Sequence, residues 1–175
     1  EVVCLDLAAN MLLLAGLGGG VLDNCRRLAW EAMTDGRAFA KLKDMVAAQG
    51  GDVRYLEEPE RFPKAPAIYP VAAPRDGYIE SMDALAIGKI SVDLGAGRMK
   101  KGDPIDYRAG LVLKKKIGEP VKKGEVIAEL RGSTTKAAGD SVRRYLEALT
   151  FSEEKPELKP LIRARVTAEG VSYYR

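Results

Sequence analysis

The stretch Gly110-Leu-Val-Leu-Lys-Lys-Lys-Ile-Gly-Glu-Pro-Val-Lys-Lys-Gly-Glu-Val-Ile-Ala-Glu-Leu130 decides how the fold is read. Two β-rich apolar runs, residues 111–113 and 126–130, flank two turn signals, Ile117-Gly-Glu-Pro120 and Lys122-Lys-Gly-Glu125. Glycine supplies the positive φ that tight turns require, and proline presets φ at the second turn position. Val121 stands between the turns as a single apolar anchor. The spacing predicts a compact, turning β module whose apolar side chains share one core. The stretch holds no nucleophile–base pair and no metal-ligand cluster.

Working outward, the 175 residues suit one domain or a domain with a subdomain. Apolar residues are 46% and charged residues 30%, an ordinary globular composition. The net charge of +3 is too small to argue for nucleic acid, and aromatics at 6% give no stacking platform for single strands. There is no histidine, which removes the commonest general base and metal ligand near neutral pH. Cys4 and Cys25 lie in apolar helical patterns and read as buried free thiols, in keeping with a reducing cytoplasm. The chain opens on Glu1 inside an apolar segment without an initiator Met, which reads as a fragment or a cut product.

Residues 2–15 are apolar on nearly every side and predict a buried core helix. They are too few, and too broken by Asp6 and Asn10, for a membrane span. Such a helix needs a partner surface, in the parent protein one from elements upstream of Glu1. Gly16-Leu-Gly-Gly-Gly20 then reads as a connector, because a phosphate loop would follow a strand and carry a Lys-Ser/Thr pair. Asp23 is expected to cap a helix to Asp35, with Leu22, Leu28, Ala29 and Met33 inward and Gly36 at its end. A second helix, residues 37–49, carries Phe39, Leu42, Met45 and Val46 on one stripe. Trp30 reads as a core residue, and Asp52 as the cap of a short turn over 53–58. Pro59, Pro63, Pro66, Pro70 and Pro74 mark a connector entering an edge strand at 67–73, and the domain boundary is placed there.

Asp76-Gly77 is a hairpin signal before a strand at 78–81. Asp83 caps a helix over 84–94 that ends at Gly95-Ala-Gly97. A basic loop, 99–103, leads through Pro104 into a strand with Ile105 and Tyr107. Beyond the central module, Ser133 or Thr134 caps a last helix, 136–149, with Val142, Tyr145, Leu146 and Leu149 inward. Residues 161–166 alternate as a half-exposed strand, and 167–175 read as a frayed end or an edge hairpin.

Several segments, in this order, carry a family likeness: Ala47-Ala-Gln-Gly-Gly-Asp52, Asp76-Gly-Tyr78, Ile87-Gly88, Leu94-Gly-Ala-Gly-Arg98, Gly110-Leu-Val-Leu-Lys-Lys-Lys-Ile-Gly118 and Val121-Lys-Lys-Gly-Glu125. The series resembles the C-terminal part of the pyrimidine-nucleoside phosphorylases, the family that includes thymidine phosphorylase, over residues 1–166. The mild departure is Lys114-Lys115, where members often place a His or Arg beside a Lys. The resemblance implies an α+β fold. Residues 1–66 would be a helical segment of a larger α/β domain, and residues 67–175 an α/β-hammerhead, mixed-sheet subdomain with a terminal strand.

The same resemblance implies a reaction in which inorganic phosphate attacks C1′ of a thymidine or uridine. Free base and a pentose 1-phosphate result, in a cytoplasmic homodimer whose lobes close over the site. Members bind phosphate through a Lys-His-Ser-Thr-Gly-Gly segment, hold the base with an Arg, a Ser and a Lys, and bind potassium. All of these lie upstream of the region matched here, so no catalytic, cofactor-binding or metal residue is carried onto this chain. Nucleoside and phosphate would be engaged by the missing N-terminal part, with no nucleic acid and no membrane as partners. The present residues would be structural and inactive alone, with no cofactor of their own and phosphate as the parent's co-substrate.

Other candidates weigh less. Gly95-Ala-Gly-Arg98 could meet an active site but is better explained as a helix cap with a charge near the last carbonyls. Lys100-Lys101 and Lys114–Lys116 could attract phosphate, yet Asp103 and Glu119 are close in sequence. Glu57, Glu58 and Glu60 sit in a Pro-rich connector with nothing to protonate. The alternative functions are a biotinyl- or lipoyl-like carrier and a purely structural interaction domain. A carrier shares the Lys-Lys-Gly-Glu turn but needs a modified Lys on a hairpin. Here the strand runs out as Glu129-Leu-Arg-Gly-Ser133, and the nearest lysine, Lys136, opens a helical pattern.

Overall fold

The computed structural model describes residues 1–132 and 135–174. It is α+β, with helices beside three small antiparallel sheets. The chain divides into two packed units, 1–62 with 159–175, and 63–158. The expected division lay at 66/67 with the tail in the second unit. The observed one falls at Phe62/Pro63, and the tail returns to the helices.

The second unit is organised as the central stretch predicts. Strand β1 is Ala67–Ala72, β2 Gly77–Met82, β3 Gly110–Leu113, β4 Pro120–Val121, β5 Val126–Gly132 and β6 Leu149–Ser152. One sheet has the order β1-β5-β3, the other β4-β2-β6. The two apolar runs pair directly, Leu111 opposite Leu130 and Leu113 opposite Ala128. β1 lies at the sheet edge, where Pro70 removes no interior ladder bond. The second turn closes as read, Glu125 N–H donating to Lys122 O at 2.9 Å, while the first closes one residue earlier than read, over Lys116–Glu119, with Glu119 N–H donating to Lys116 O at 3.1 Å. Val121 is buried between them. The core gathers Val71, Ile79, Ile90, Leu94, Val121, Ile127, Leu130, Tyr145 and Leu149.

Helix α5, Ala84–Ser91, begins at Asp83, whose carboxylate accepts from the N–H of Leu85 (2.9 Å) and Ala86 (3.0 Å) as expected of a cap. It widens into a π turn, Val92–Ala96. Helix α6, Thr135–Glu147, buries Tyr145. The expected caps Ser133 and Thr134 lie outside the described residues.

Three expectations in this unit need correction. Asp76-Gly77 does not turn a hairpin, because β1 and β2 belong to different sheets. The Asp76 carboxylate instead accepts the Lys123 N–H at 2.7 Å. Gly77, at φ +139°, leaves room where a Cβ would strike the Ser152 carbonyl. No strand forms at Ile105 and Tyr107, because Asp106 N–H donates to Gly95 O (2.9 Å) and Asp106 O takes the Ala109 N–H (3.0 Å). The last helix stops before Leu149, which joins β6 opposite Met82, while the Ala148 carbonyl accepts from Asp83 N–H.

The first unit holds helices α1 (Val2–Leu14), α2 (Leu22–Thr34), α3 (Arg37–Ala48) and the single turn α4 (Arg54–Glu57). Gly16, Gly18, Gly19 and Gly20 all have positive φ, and Gly18 is held against Cys25. Gly36, at φ +89°, separates α2 from α3 as expected. Asp23 does not cap α2; it stands in the first turn and pairs with Arg26.

The burial expected of this unit is largely not met within the chain. In α1 only Asp6 and Ala9 are buried, while Leu7, Met11 and Leu14 are exposed. Leu28, Met33, Phe39, Leu42, Met45 and Trp30, read as inward or core, are exposed as well. Cys25 is buried as expected, but Cys4 is exposed. α1 packs on α2 through the Asp6–Arg26 pair at 2.5 Å, and Asn10 donates back to Asp6. Strands β7 (Ala164–Thr167) and β8 (Gly170–Tyr173) form the terminal hairpin, which Arg165 ties to Asn10 Oδ1 at 3.0 Å.

Candidate functional site

The sharpest sequence candidate, Gly95-Ala-Gly-Arg98, sits at the exit of the π turn. Gly95, at φ +109°, reverses the chain, and its carbonyl accepts from Asp106 N–H. A Cβ on Gly97 would meet Val92 Cγ2 at 2.7 Å, so this close approach also needs glycine. Asp93 ties the turn to α6 through Arg144 at 2.7 Å. Single π turns inserted in α-helices occur often at functional sites. Here the turn has a local structural role as well, which is the helix-ending role expected of these glycines.

The basic loop that follows is fastened from within. Arg98 Nε donates to the Asp103 carbonyl at 3.1 Å, and the Asp103 carboxylate takes the Lys100 N–H at 2.7 Å. This leaves Arg98, Lys100 and Lys101 exposed. Beside them Arg108 holds the Asp106 carboxyl below the usual carboxylate range by direct hydrogen bonding.

The other lysine run is largely neutralised. Lys114 pairs with Glu129 at 3.0 Å, and Lys115 with Glu125 at 2.8 Å. Arg131 adds a second cation to Glu129 at 2.8 Å, and hydrogen bonds from Arg131 and Lys114 lower that carboxyl's pKa. Lys115 also donates to the Pro120 carbonyl at 3.0 Å. An open groove of about 590 Å³ runs past Asp76, Lys115, Lys122 and Glu125. Its two lysines and two acids leave no excess charge with which to select an anion.

The glutamate cluster does not form a site. Glu57 pairs with Lys43, and Glu58 with Arg61. A second groove, about 510 Å³, lies in the helical unit between Val2, Leu5, Asp6, Arg26, Leu161 and Tyr174. Sequence reading missed it, because its two walls are more than a hundred residues apart. Among the described residues no group of three or more His, Cys, Asp or Glu could hold a metal ion. No described helix is long and apolar enough to cross a membrane. Tyr145 is a buried outlier: burial pushes its pKa up to about 12, and its hydroxyl has no partner among the described atoms. It lies inside the β-rich core, where bulk rather than chemistry explains it. The side chain of Lys136, the lysine nearest the end of β5, lies outside the described residues.

The comparison with known families bears on the β-rich unit. The profile described as Pyrimidine nucleoside phosphorylase C-terminal domain matches residues 78–152, which runs from within β2 to the end of β6. The chain is 34% identical over 165 residues to a pyrimidine-nucleoside phosphorylase of Geobacillus stearothermophilus, covering 94% of this chain and 38% of that protein. It is 37% identical over 163 residues to a pyrimidine-nucleoside phosphorylase of Staphylococcus epidermidis, covering 93% and 37%. It is 34% identical over 165 residues to a thymidine phosphorylase of Sinorhizobium medicae, covering 94% and 37%. The chain spans less than two fifths of the length of these relatives. Residues 78–152 are thus similar to the pyrimidine nucleoside phosphorylase C-terminal domain, and 94% of the chain aligns with the C-terminal part of these enzymes.

Proposed function

We propose that this chain is the C-terminal portion of a pyrimidine-nucleoside phosphorylase, a pentosyltransferase that cleaves thymidine or uridine with inorganic phosphate. The observation that carries the reading is the family match across β2–β6, the strands that enclose most of the β-rich core. In such an enzyme phosphate adds to C1′ as the C1′–N bond to the base breaks. The products are the free base and a pentose 1-phosphate. Charge of that kind is stabilised by cations and N–H donors held close to the phosphoryl and base groups.

On this reading the portion's own contribution is structural. It supplies a rigid β-rich unit and, at its surface, the Gly95–Arg98 turn. The nucleoside and phosphate contacts and any potassium ion belong, on this reading, to the part of the enzyme not matched here, and the whole enzyme is a homodimer. The enzyme works in the cytoplasm, with no cofactor held by this chain.

The test is direct. The purified chain is incubated with thymidine or uridine and phosphate, and base release is followed. The reading expects no phosphate-dependent release and no specific phosphate binding by this chain alone. Phosphorolysis by the chain, free of any longer enzyme, would overturn its structural role. Intact-mass analysis adds a check against the carrier alternative, since a stoichiometric biotinyl or lipoyl adduct on any lysine, Lys136 included, would contradict the phosphorylase reading.

A further inference from the structure

The last segment of the chain rejoins the helical unit after Leu158. Leu161, Ile162 and Tyr174 form one wall of the groove whose other wall is Val2 and Leu5. Between those wall residues the segment folds into the β7–β8 hairpin, closed at its base by the Tyr174 N–H donating to the Arg163 carbonyl at 3.0 Å. A two-stranded hairpin without further strands is marginal in water. Every residue of β8 is exposed, so no core holds this one. Among the described residues a single hydrogen bond joins residues 159–174 to the helices, from Arg165 Nε to Asn10 Oδ1 at 3.0 Å.

The acceptor of that bond is oriented from behind. Asn10 Nδ2 donates to the Asp6 carbonyl at 2.8 Å and to Asp6 Oδ2 at 3.3 Å. The nitrogen side of the amide is thereby occupied, and its oxygen is left for Arg165. Asp6 is itself fixed by Arg26 of α2. A polar relay therefore runs from α2 through α1 into β7. Arg26 and Asp6 also line the groove, so the relay and the groove share one end. A segment with so few buried apolar side chains opens at low free energy, independently of the core.

We propose that residues 159–174 are a strap that leaves the helices as one local unit, with Arg165–Asn10 as its latch, and so opens and closes the groove over the Asp6–Arg26 pair. Opening takes Leu161, Ile162 and Tyr174 away from Val2 and Leu5 and bares the ion pair. The two sides of the latch act as one: losing either Arg165 or Asn10 frees the strap, and losing both frees it no further. This device does not depend on the phosphorylase reading.

The experiment is native-state hydrogen exchange on this chain and on three variants, Arg165→Ala, Asn10→Ala and the pair combined. The amides read are Tyr174 and the β7–β8 ladder, with α2 and β5 as references. Each single change lowers protection of the strap by about tenfold, the loss of one charge-assisted hydrogen bond, and leaves α2 and β5 unchanged. The double variant lies at the level of the weaker single one, since partners in one bond are not additive. Trypsin gives a second readout in Asn10→Ala, which keeps both arginines: cleavage after Arg163 and Arg165 speeds up by a similar factor. The proposal is overturned if neither single change alters strap protection. It is overturned equally if α2 loses protection in step with the strap, because the segment then has no opening of its own. A double variant near a hundredfold would also contradict it, since Arg165 and Asn10 would then act separately.

Discussion

The β-rich unit and the helical unit of this chain place similar apolar residues in opposite circumstances. In residues 63–158 Ile79, Ile90, Ile127, Leu130 and Tyr145 are almost wholly removed from water. In residues 1–62 the buried apolar set reduces to Ala9 and Cys25, while Leu7, Met11, Trp30, Phe39 and Met45 face solvent. The difference lies in architecture rather than composition. Two three-stranded sheets and two helices surround one volume in the β-rich unit, so each strand finds apolar neighbours on other elements. In the other unit α1 lies on α2 and α2 on α3, which covers one side of each helix and leaves the rest bare. A helix that is apolar all round is explained only by burial on all sides. A β module with alternating anchors and tight turns can close on itself.

This contrast is broken most readily at the β-rich core. Leu130→Ala should cost about 2–5 kcal/mol, because Leu130 is fully buried opposite both Tyr69 and Leu111. The matched change Met11→Ala should lie within about 0.5 kcal/mol. Chemical denaturation of the two variants, followed separately for each unit, checks the pair. Similar losses for both would mean that α1 is buried after all.

Next comes Gly77→Ala. The position has φ +139°, and a Cβ there strikes the Ser152 carbonyl on β6. A loss of about 1–3 kcal/mol is expected for the β-rich unit, with α1–α3 unaffected. A neutral result would show that the β2–β6 ladder yields more easily than its register suggests. Asp83→Ala follows at about 1 kcal/mol, since two N–H groups at the start of α5 lose their acceptor. Asp23→Ala in α2 is the matched control, and it should cost less because Asp23 makes no cap bond. Thermal melts of the two variants give the ranking.

The smallest effect is electrostatic. Arg131 and Lys114 hold the Glu129 carboxyl below its ordinary range. A carboxyl whose folded pKa is depressed stabilises the fold above its unfolded pKa, about 4.3 for Glu. That contribution disappears as pH falls through the folded pKa. Glu129→Gln should therefore flatten the stability curve on the acid side and change its slope little near neutral pH. An unchanged acid limb would remove Glu129 from the account.

How far the sequence was legible follows the same contrast. The strands at residues 111–113 and 126–130, the apolar anchor Val121 and the Asp83 cap were readable because turn chemistry and alternation act over a few residues. The placement of β1 and β2 in separate sheets was not, because Asp76-Gly77 carries a hairpin signature whichever partner the next strand finds. β6 was hidden for a related reason, in that Leu149 continues a helical stripe and only its pairing with Met82 makes it strand. For the helices the periodicity was right and the burial was wrong. A stripe of Phe39, Leu42 and Met45 states which side is apolar without stating what covers it. Among the candidate site residues, Gly95 and Gly97 declared a turn. The pairing of Lys114 and Lys115 with Glu129 and Glu125 depended on strand register that spacing alone does not give.

The contrast between the two units is tested most directly by native-state hydrogen exchange on a dilute monomer of this chain. Amides of β3 and β5, residues 110–113 and 126–132, should exchange only with opening of the whole β-rich unit, while those of α1, residues 2–14, should exchange by local opening and orders of magnitude faster. Protection of α1 equal to or greater than that of β5 in the monomer would contradict the account.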